Sequence, residues 1–261
     1  MPELPEVEAI ARDLAPLLTN KIVISCWTSN KSLRSQLTDE ELSLLLNKKI
    51  KCVFRRAKFL VIEFELHFLL IHFGMTGKII TSKVEPSFFT KKNKHIHFSF
   101  CTDELFFYFH DIRRFGALYL YEMKQLKKSL LSQSDSFFGM EPLSSKFTAE
   151  FAYKKSRRIN RTVKSWVMNG PIAGVGNIYA SEALFRAGIN PNIKVKNLGI
   201  IRFSRLVAAI KYVLLDAIRS GGSSIQNFTN IQGNLGEYSK KHMVYGKRSG
   251  RCPICDNLIS F

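Results

Sequence analysis

Cysteine is scarce in this sequence, and long apolar runs are missing. Five cysteines are scattered over 261 residues, and only Cys252 and Cys255 lie close together, which argues against the disulfide framework of a secreted domain. The apolar run from Phe68 to Phe73 is too short to cross a membrane, and His72 interrupts it. The opening residues, MPELPEVE, are acidic and do not match a secretory leader. A cytoplasmic protein with no membrane partner is therefore expected.

Acidic residues are also few. The chain has 21 Asp and Glu against 39 Lys and Arg, which gives a formal net charge of +18 and a pI near 9.8. Solubility alone does not require such an excess, so the charge indicates a polyanionic partner, most commonly duplex nucleic acid. Charge by itself leaves two alternatives open, a membrane surface and a generally basic proteome.

The hydrophobic pattern divides the chain into a strand-rich part and a helical part. Residues 4–18 carry apolar side chains at helical spacing, which predicts a helix. From residue 20 to residue 122, runs rich in Phe, Ile, Val and Tyr alternate with turn residues and predict an antiparallel sandwich or barrel. Residues 123–146 are polar and rich in Ser and Lys, and we interpret them as a linker. Helical spacing then returns in four segments, 147–156, 160–168, 177–187 and 199–220.

A proline at position 2 becomes the first residue of the chain when Met1 is removed, and it then carries a free secondary amine. An α-amino group with a pKa of about 7.7–8.0 keeps a neutral fraction near pH 7, and it can attack a carbon that bears a leaving group and form an imine. Glu3 and Glu6 lie alongside, so one can donate a proton while the other stays ionised. Pro and Glu are also ordinary residues at the start of a helix. This segment alone does not decide between the two interpretations.

The same opening, MPELPEVE, resembles that of the formamidopyrimidine-DNA glycosylases. In that family the mature terminus is this proline, which attacks C1′ of the damaged nucleotide. The resemblance implies that Pro2 is the nucleophile, Glu3 the general acid and Glu6 a supporting acid. The sister endonuclease VIII branch usually opens PEGPE, so Leu4 favours the formamidopyrimidine branch.

Two motifs of the strand-rich part match family residues that contact phosphates. RRAKFL is similar to the family's hairpin, whose lysine touches phosphates at the lesion and assists elimination, and this implies the same role for Lys58. Without the resemblance, a lysine on an edge strand is usually a solvated charge. The family's phosphate-binding histidine corresponds to His95 in KHIHFSF.

Two other motifs match family side chains that enter the DNA helix. A duplex cannot keep its stack when one base leaves, and apolar wedges and arginine fill such a gap. HFGMTG and DIRRFG resemble the family's motifs, which implies this role for Met75, Arg113 and Phe115. Chemistry alone favours a core position for Met75 and Phe115. Ile112 stands where the family usually has proline.

The string WVMNGPIAGVGNIYASEALFRAGINP carries the most specific pattern. Gly174 and Gly176 flank a tight turn, and Asn177 begins a helix whose backbone N–H groups suit a phosphate, although GVGN alone equally predicts a packing turn. The whole string resembles the family's helix–two-turn–helix, which implies that Asn177 and Lys164 bind the DNA backbone. SGGSSIQNF and NIQGNLGEYS resemble the family's segment that closes over the flipped base.

VYGKRSGRCPICDNLI resembles the start of the family's zinc ribbon. Cys252 and Cys255 form one C-x-x-C knuckle, which is a half-site because a structural zinc has about four ligands. The given sequence ends at Phe261 before a second pair, and His242 is the nearest third candidate, one that the family does not use. Zinc binding is therefore left open. The family's arginine for δ-elimination lies in the second hairpin, so δ-elimination is left open as well.

The resemblance covers nearly the whole chain and implies an α+β fold with several domains. Residues 1–122 are expected to form an antiparallel β-sandwich with a leading helix, 123–146 the linker, 147–235 a helix–two-turn–helix domain and 236–261 an incomplete zinc ribbon. The implied enzyme removes oxidised purines, such as 8-oxoguanine and formamidopyrimidines, from duplex DNA through a proline imine. It then cleaves the strand by β-elimination as an abasic-site lyase and needs no cofactor for this chemistry.

A monomer associated with the bacterial nucleoid, without an obligate protein partner, is expected. Two other functions stay open at this point. The chain can be a lesion-binding protein with weak or no catalysis, or a glycosylase for oxidised pyrimidines like endonuclease VIII.

Overall fold

The computed structural model describes residues 1–83, 94–131, 137–223 and 236–259. Seven α-helices are described, and they are α1 Leu4–Leu18, α2 Asp39–Ser43, α3 Met123–Leu131, α4 Ala149–Ser156, α5 Val163–Asn169, α6 Asn177–Ala187 and α7 Ile200–Arg219. Eight strands are described, and they are β1 Val23–Thr28, β2 Cys52–Arg56, β3 Phe59–Glu63, β4 His67–His72, β5 Lys78–Ser82, β6 Ile96–Thr102, β7 Phe106–His110 and β8 Ala117–Glu122. Short 3₁₀ turns lie at Val195–Asn197 and Tyr238–Lys241.

The strands form two four-stranded antiparallel sheets, with the orders β1-β6-β7-β5 and β2-β3-β4-β8. Inward side chains of both sheets, such as Phe107 and Leu69, share one core with Ile10 and Leu14 of α1. Successive side chains of a strand point to opposite faces of the sheet, so alternate residues of each strand reach this core. In β3 and β4 the residues of both faces are apolar and buried. The predicted fold class, an antiparallel β-sandwich with a leading helix followed by a helical module, is confirmed.

A second core lies within the helical module, formed by α4 to α7. Trp166 and Phe203 pack edge to face inside it, and Leu4 from the first turn of α1 is buried in the same cluster. The helix α1 therefore packs against the sandwich along most of its length and against the helical module at its N-terminus. This places the first residues of the chain at the junction of the two parts.

The segment interpreted as a linker begins with a helix, α3. Leu126 and Leu130 are one helical turn apart and are both buried, because they cover Leu70 and Val61 on the outer face of the second sheet. The polar, Ser/Lys-rich composition of the segment conceals this narrow apolar stripe. The helix α3 therefore lies within residues 123–146, the segment that was predicted to be a linker.

The helices α4 and α5 begin later than their apolar pattern predicts, because a threonine N-cap sets the first residue of each. Thr148 accepts the N–H of Phe151 at 3.2 Å, and Thr162 accepts the N–H of Ser165 at 3.3 Å.

Within the described parts of the chain, no helix combines the length and the apolar character that a membrane crossing requires.

Candidate functional site

The N-terminus of the chain is held at the junction between the sandwich and the helical module. Pro2 is buried and Met1 is half exposed, and the backbone N–H of Leu4 donates to the carbonyl of Gly174 at 3.1 Å. Gly174 has a φ of +75°, and a Cβ there would lie 2.9 Å from the Cβ of Leu4 and 3.2 Å from the carbonyl oxygen of Ala57. Only glycine fits where these three segments meet.

The carboxylate of Glu3 is buried and binds the start of α6. Its Oε2 accepts the N–H of Gly176 at 2.7 Å, and its Oε1 accepts the N–H of Ile178 at 3.1 Å. A Cβ at Gly176 would lie only 2.4 Å from this carboxylate, so the second glycine of GVGN makes room for it. The turn therefore supplies N–H groups to a carboxylate of the same chain.

Burial raises the pKa of Glu3 to about 7. The charge of Lys58 opposes this rise, the charge of Glu6 adds to it, and the N–H groups of Ile178 and Gly176 oppose it. A carboxyl group with a pKa near neutrality holds a proton in a useful fraction of molecules and can still release it. Glu3 has the acid–base property that a general acid needs.

Glu6 is fully buried one helical turn from Glu3. Its Oε2 accepts the backbone N–H of Glu3 at 2.8 Å, and its Oε1 accepts the N–H of Ser223 at 2.7 Å and the hydroxyl of Tyr179. Burial raises the pKa of Glu6, and the hydrogen bonds from Ser223 and Tyr179 oppose that rise. Gly222, with a φ of +85°, makes room for it, since a Cβ there would lie 2.8 Å from Oε1.

Lys58 lies in the tight turn that joins β2 to β3, next to Ala57. Burial lowers the pKa of Lys58, and the charges of Glu3 and Glu6 oppose that shift. The ammonium group is therefore near both carboxylates, and the three titratable side chains form one electrostatic cluster beside Pro2. The sequence motif RRAKFL placed the lysine on a hairpin, and the structure brings it to the acids.

The two arginines before this turn connect it to other parts of the chain through buried ion pairs. Arg55 Nε lies 2.8 Å from Glu8 of α1, and Arg55 Nη2 lies 2.7 Å from Glu141. Arg56 Nη1 lies 2.9 Å from Glu141 as well. Carboxylates from two other segments therefore fix the Lys58 hairpin. Sequence reasoning missed Glu8 and Glu141, because nothing in the local pattern relates them to the hairpin.

Met75, Arg113 and Phe115 lie on two adjacent loops. Met75 and Phe115 are 44% and 39% exposed, so neither is a core residue, and the Arg113 guanidinium lies 4.7 Å from the centre of the Phe115 ring. Ile112, in place of the family's usual proline, is 53% exposed. A Cβ at Gly74 would lie 2.4 Å from the carbonyl carbon of Phe115, so the loop backbones are in contact.

Asp111 holds these loops together, although it was not among the site residues predicted from the sequence. Its Oδ2 accepts the N–H of Gly116 at 2.8 Å, and its Oδ1 accepts the N–H of Arg113 at 3.2 Å and the hydroxyl of Thr76. Asp111 is fully buried. An aspartate that opens a turn commonly bonds to backbone two residues on, which is the signal that would have identified it.

The residues matched to phosphate ligands lie in three different places. His95 is half buried just before β6, with its ring centre 5.6 Å from that of His110. Asn177 is exposed at the first position of α6, and Lys164 is half buried in the first turn of α5. These three residues do not form one cluster. Such a separation suits a ligand that extends over the surface.

A basic cleft lies in the same helical module. It has a volume of about 510 Å³, and its lining includes Lys155, Arg158 and Arg161 beside Trp166. No acidic residue is among the residues that line it. Part of the excess positive charge of the chain therefore lies along this cleft.

Cys252 and Cys255 lie in a turn near the end of the described chain. The backbone N–H groups of Ile254 and Cys255 lower the pKa of the Cys252 thiol. Among the described residues, no group of three or more His, Cys, Asp or Glu side chains could hold a metal ion. His242 is buried and hydrogen bonded to Ser223, so it does not serve as a third zinc ligand beside the two cysteines. These residues alone do not fit a structural zinc.

The segments compared with the family's closing loop, 220–228 and 230–239, fall mostly outside the described residues. Their described ends meet, since the N–H of Tyr238 donates to the carbonyl of Gly222 at 3.0 Å and the N–H of Glu237 to that of Ser220 at 2.9 Å. Ser223, which binds Glu6, is the last described residue before the gap.

Two domain families match the chain. Residues 1–118 match the formamidopyrimidine-DNA glycosylase N-terminal domain, and residues 138–229 match the formamidopyrimidine-DNA glycosylase H2TH domain. Formamidopyrimidine-DNA glycosylase of Ruthia magnifica is 38% identical over 261 residues, covering 99% of this chain and 93% of the relative. That of Yersinia enterocolitica is 37% identical with the same coverage.

Solved structures give the same result. The Lactococcus lactis Fpg in complex with DNA containing an abasic site superposes with a TM-score of 0.86 at 28% identity, covering 98% of this chain and 92% of that one. A MutM structure in complex with DNA containing carbocyclic 8-oxo-G has a TM-score of 0.86 at 27% identity, with the same coverage.

Proposed function

The chain belongs to the formamidopyrimidine-DNA glycosylase family, and we propose that it excises oxidised purines from duplex DNA and then cleaves the abasic strand. The observation that carries this proposal is the buried Glu3 carboxyl, with a pKa near 7, beside Pro2 and Lys58. The DNA-bound relatives, whose ligands include abasic and 8-oxo-G DNA, support the choice of substrate.

The first step is an attack by Pro2, whose amine is free once Met1 has been removed. The proline nitrogen forms a bond to C1′ of the damaged nucleotide while the bond from C1′ to the base breaks. Protonated Glu3 gives its proton to the departing base and takes up the proton that the proline nitrogen loses. It then gives that proton to O4′ as the bond between C1′ and O4′ breaks, and the electron pair of the nitrogen forms the positively charged imine to C1′. Glu6 stays hydrogen bonded to the N–H of Glu3 and keeps the start of α1 in place.

The second step is β-elimination. The imine at C1′ withdraws electrons from the sugar, so a proton leaves C2′ and the bond between C3′ and its oxygen breaks. Lys58 assists this step from the β2–β3 turn, where burial lowers the pKa of its amine and makes it a better proton carrier. Neither proposed step requires a metal.

DNA is proposed to lie across the junction of the sandwich and the helical module. Met75, Arg113 and Phe115 are exposed on touching loops and would enter the stack where the base leaves. His95, Lys164 and Asn177 would bind backbone phosphates, with Asn177 at the N-terminal end of a helix. We further propose that the protein acts as a monomer in the cytoplasm, at the nucleoid.

Borohydride trapping on a duplex that contains 8-oxoguanine tests the proposal. Borohydride reduces an imine between Pro2 and the sugar to a stable adduct, and intact mass should show a protein without Met1. Pro2→Gly should abolish the adduct, whereas Pro16→Ala, an exposed proline at the other end of α1, should retain it.

Three results would contradict the proposal. Lesion binding without an adduct would indicate a non-catalytic lesion-binding protein. Trapping only on oxidised pyrimidines would indicate an activity like that of endonuclease VIII. Met1 retained on the active protein would exclude Pro2 as the nucleophile.

A further inference from the structure

His242 is a buried histidine that lies outside the proposed reaction. It follows the 3₁₀ turn Tyr238–Lys241 and is only 4% exposed. Its ring packs edge on against Tyr238 and Tyr245, with 5.6 Å between ring centres in each case. Its Nε2 lies 3.0 Å from Oγ of Ser223. Burying a polar ring costs free energy unless its nitrogens are hydrogen bonded.

Ser223 connects His242 to Glu6. The backbone N–H of Ser223 donates to Glu6 Oε1 at 2.7 Å, while its hydroxyl contacts His242. Tyr179 closes the network, because its hydroxyl contacts Glu6 and lies 3.2 Å from Oγ of Ser223. Glu6, Tyr179, Ser223 and His242 form one buried hydrogen-bond network that starts one helical turn from Glu3.

The direction of these hydrogen bonds can be assigned from chemistry. Burial lowers the pKa of His242, so the ring is neutral and one nitrogen is an acceptor. Since Glu6 already accepts the Tyr179 hydroxyl, the Ser223 hydroxyl is free to donate to Nε2 of His242. This hydrogen bond holds the side chain of Ser223, and the backbone N–H of the same residue donates to Glu6.

The position of His242 is itself fixed by a carboxylate. Glu182 of α6 accepts the N–H groups of Met243, Val244 and Tyr245 at 2.8, 3.0 and 2.7 Å. The three residues after His242 are thereby tied to the helix whose N-terminus binds Glu3. The histidine cannot shift without breaking charge-assisted hydrogen bonds.

We propose that His242 is a positioning residue for base excision, acting through Ser223 to hold Glu6 and the start of α1 in the reactive arrangement. This inference rests on the proposed function, because it concerns the geometry of Pro2 and Glu3. His242 does not touch the reacting atoms. Its loss should lower the excision rate without changing the affinity for lesion DNA.

The activity test uses single-turnover excision of 8-oxoguanine together with binding to a duplex carrying a tetrahydrofuran abasic analogue. His242→Leu, which removes the acceptor, should lower the rate constant by about tenfold with an unchanged Kd. His242→Gln, whose amide oxygen can accept the same hydrogen bond, should recover most of the rate. Tyr212→Phe, which changes an exposed tyrosine of α7, should react like wild type.

A double-mutant cycle separates this role from simple destabilisation. Ser223→Ala should cause a loss similar to that of His242→Leu, and combining the two should add little because both break one network. Thermal unfolding of each variant shows whether it is folded at the assay temperature. Additive losses, or a His242→Gln variant as slow as His242→Leu, would overturn the inference.

An NMR measurement tests the network without relying on catalysis. Nitrogen-15 shifts of the side chain, assigned with His242→Gln among the chain's six histidines, should show Nε2 without a proton at neutral pH. Ser223→Ala should shift that resonance. A protonated Nε2 in an active enzyme would overturn the inference and leave the proposed function standing. Inactivity of the wild type toward every lesion would overturn the proposed function, and the positioning role of His242 with it.

Discussion

Glu3 Oε1 accepts the backbone N–H of Ile178 at 3.1 Å, so an acid before the first helix of the sandwich caps the helix α6 of the other module. This contact joins the proposed general acid to the turn GVGN. Backbone N–H groups at the N-terminus of a helix commonly bind a phosphate. Here two of them bind Glu3, and the exposed Asn177 between them remains at the surface.

The first prediction concerns the pH dependence of excision. Because the pKa of Glu3 is raised to about 7, the proton needed for the base is present below pH 7 and is lost as the pH rises through 7. The single-turnover rate constant should therefore fall on the alkaline side of pH 7. Glu3→Gln should lower the rate constant of excision by about 10²-fold or more, and the alkaline limb of its pH profile should disappear.

Incision of a preformed abasic site provides the control for Glu3, since no base has to leave there. Glu3→Gln should keep more activity on that substrate than on 8-oxoguanine, and Glu150→Gln, an exposed glutamate of α4, should match wild type on both. Equal losses of Glu3→Gln on the two substrates would contradict a role as acid for the departing base.

A second prediction concerns Lys58. Lys58→Met removes the charge that holds down the pKa of Glu3, so the alkaline limb of excision should move to a pH above 7. The same variant should slow β-elimination by about 10²-fold, because a positioned proton carrier is lost. Quenched-flow product analysis from pH 6 to pH 9 measures both effects. Lys51→Met, an exposed lysine just before β2, serves as the matched variant.

A third prediction concerns Asp111, which binds the backbone of the loop that carries Arg113 and Phe115. Asp111→Ala should leave the N–H groups of Arg113 and Gly116 without this acceptor and loosen the loop. We expect weaker binding to lesion duplex by about tenfold, which corresponds to the loss of one or two hydrogen bonds to a charged group. Fluorescence anisotropy would measure it.

Asp103→Ala is the control for Asp111, since Asp103 is an exposed acid in the turn between β6 and β7. It should bind like wild type or slightly tighter, because it removes a negative charge. If Asp111→Ala bound lesion DNA as tightly as Asp103→Ala, the proposed role of the loop in DNA binding would be wrong.

A fourth prediction concerns stability. Glu182 is 3% exposed and accepts three backbone N–H groups. Glu182→Ala should lower the free energy of unfolding by about 2–4 kcal/mol, because buried N–H groups lose a charged acceptor. Urea denaturation followed by tryptophan fluorescence would report this, and Glu237→Ala, an exposed glutamate, should change it little.

Much of the fold could be read from periodicity. The helix predicted at 4–18 coincides with α1, and the segment predicted at 177–187 coincides with α6. Both carry clear local signals, namely a proline in the first turn of α1 and Gly188 in a left-handed conformation after α6. The helix α3 was missed, because an apolar stripe of two leucines is too weak to stand out in a polar segment.

The sequence by itself determined the succession of strands and helices, the acids beside Pro2 and the hairpin lysine, because periodicity, turn residues and short motifs are local properties of a chain. Only the tertiary structure decided that Glu3 caps α6, that Glu141 pairs with Arg55 and that His242 reaches Glu6 through Ser223. Those contacts join residues far apart in the chain. They exist because burial at the junction of the two parts forces each polar group to find a partner there.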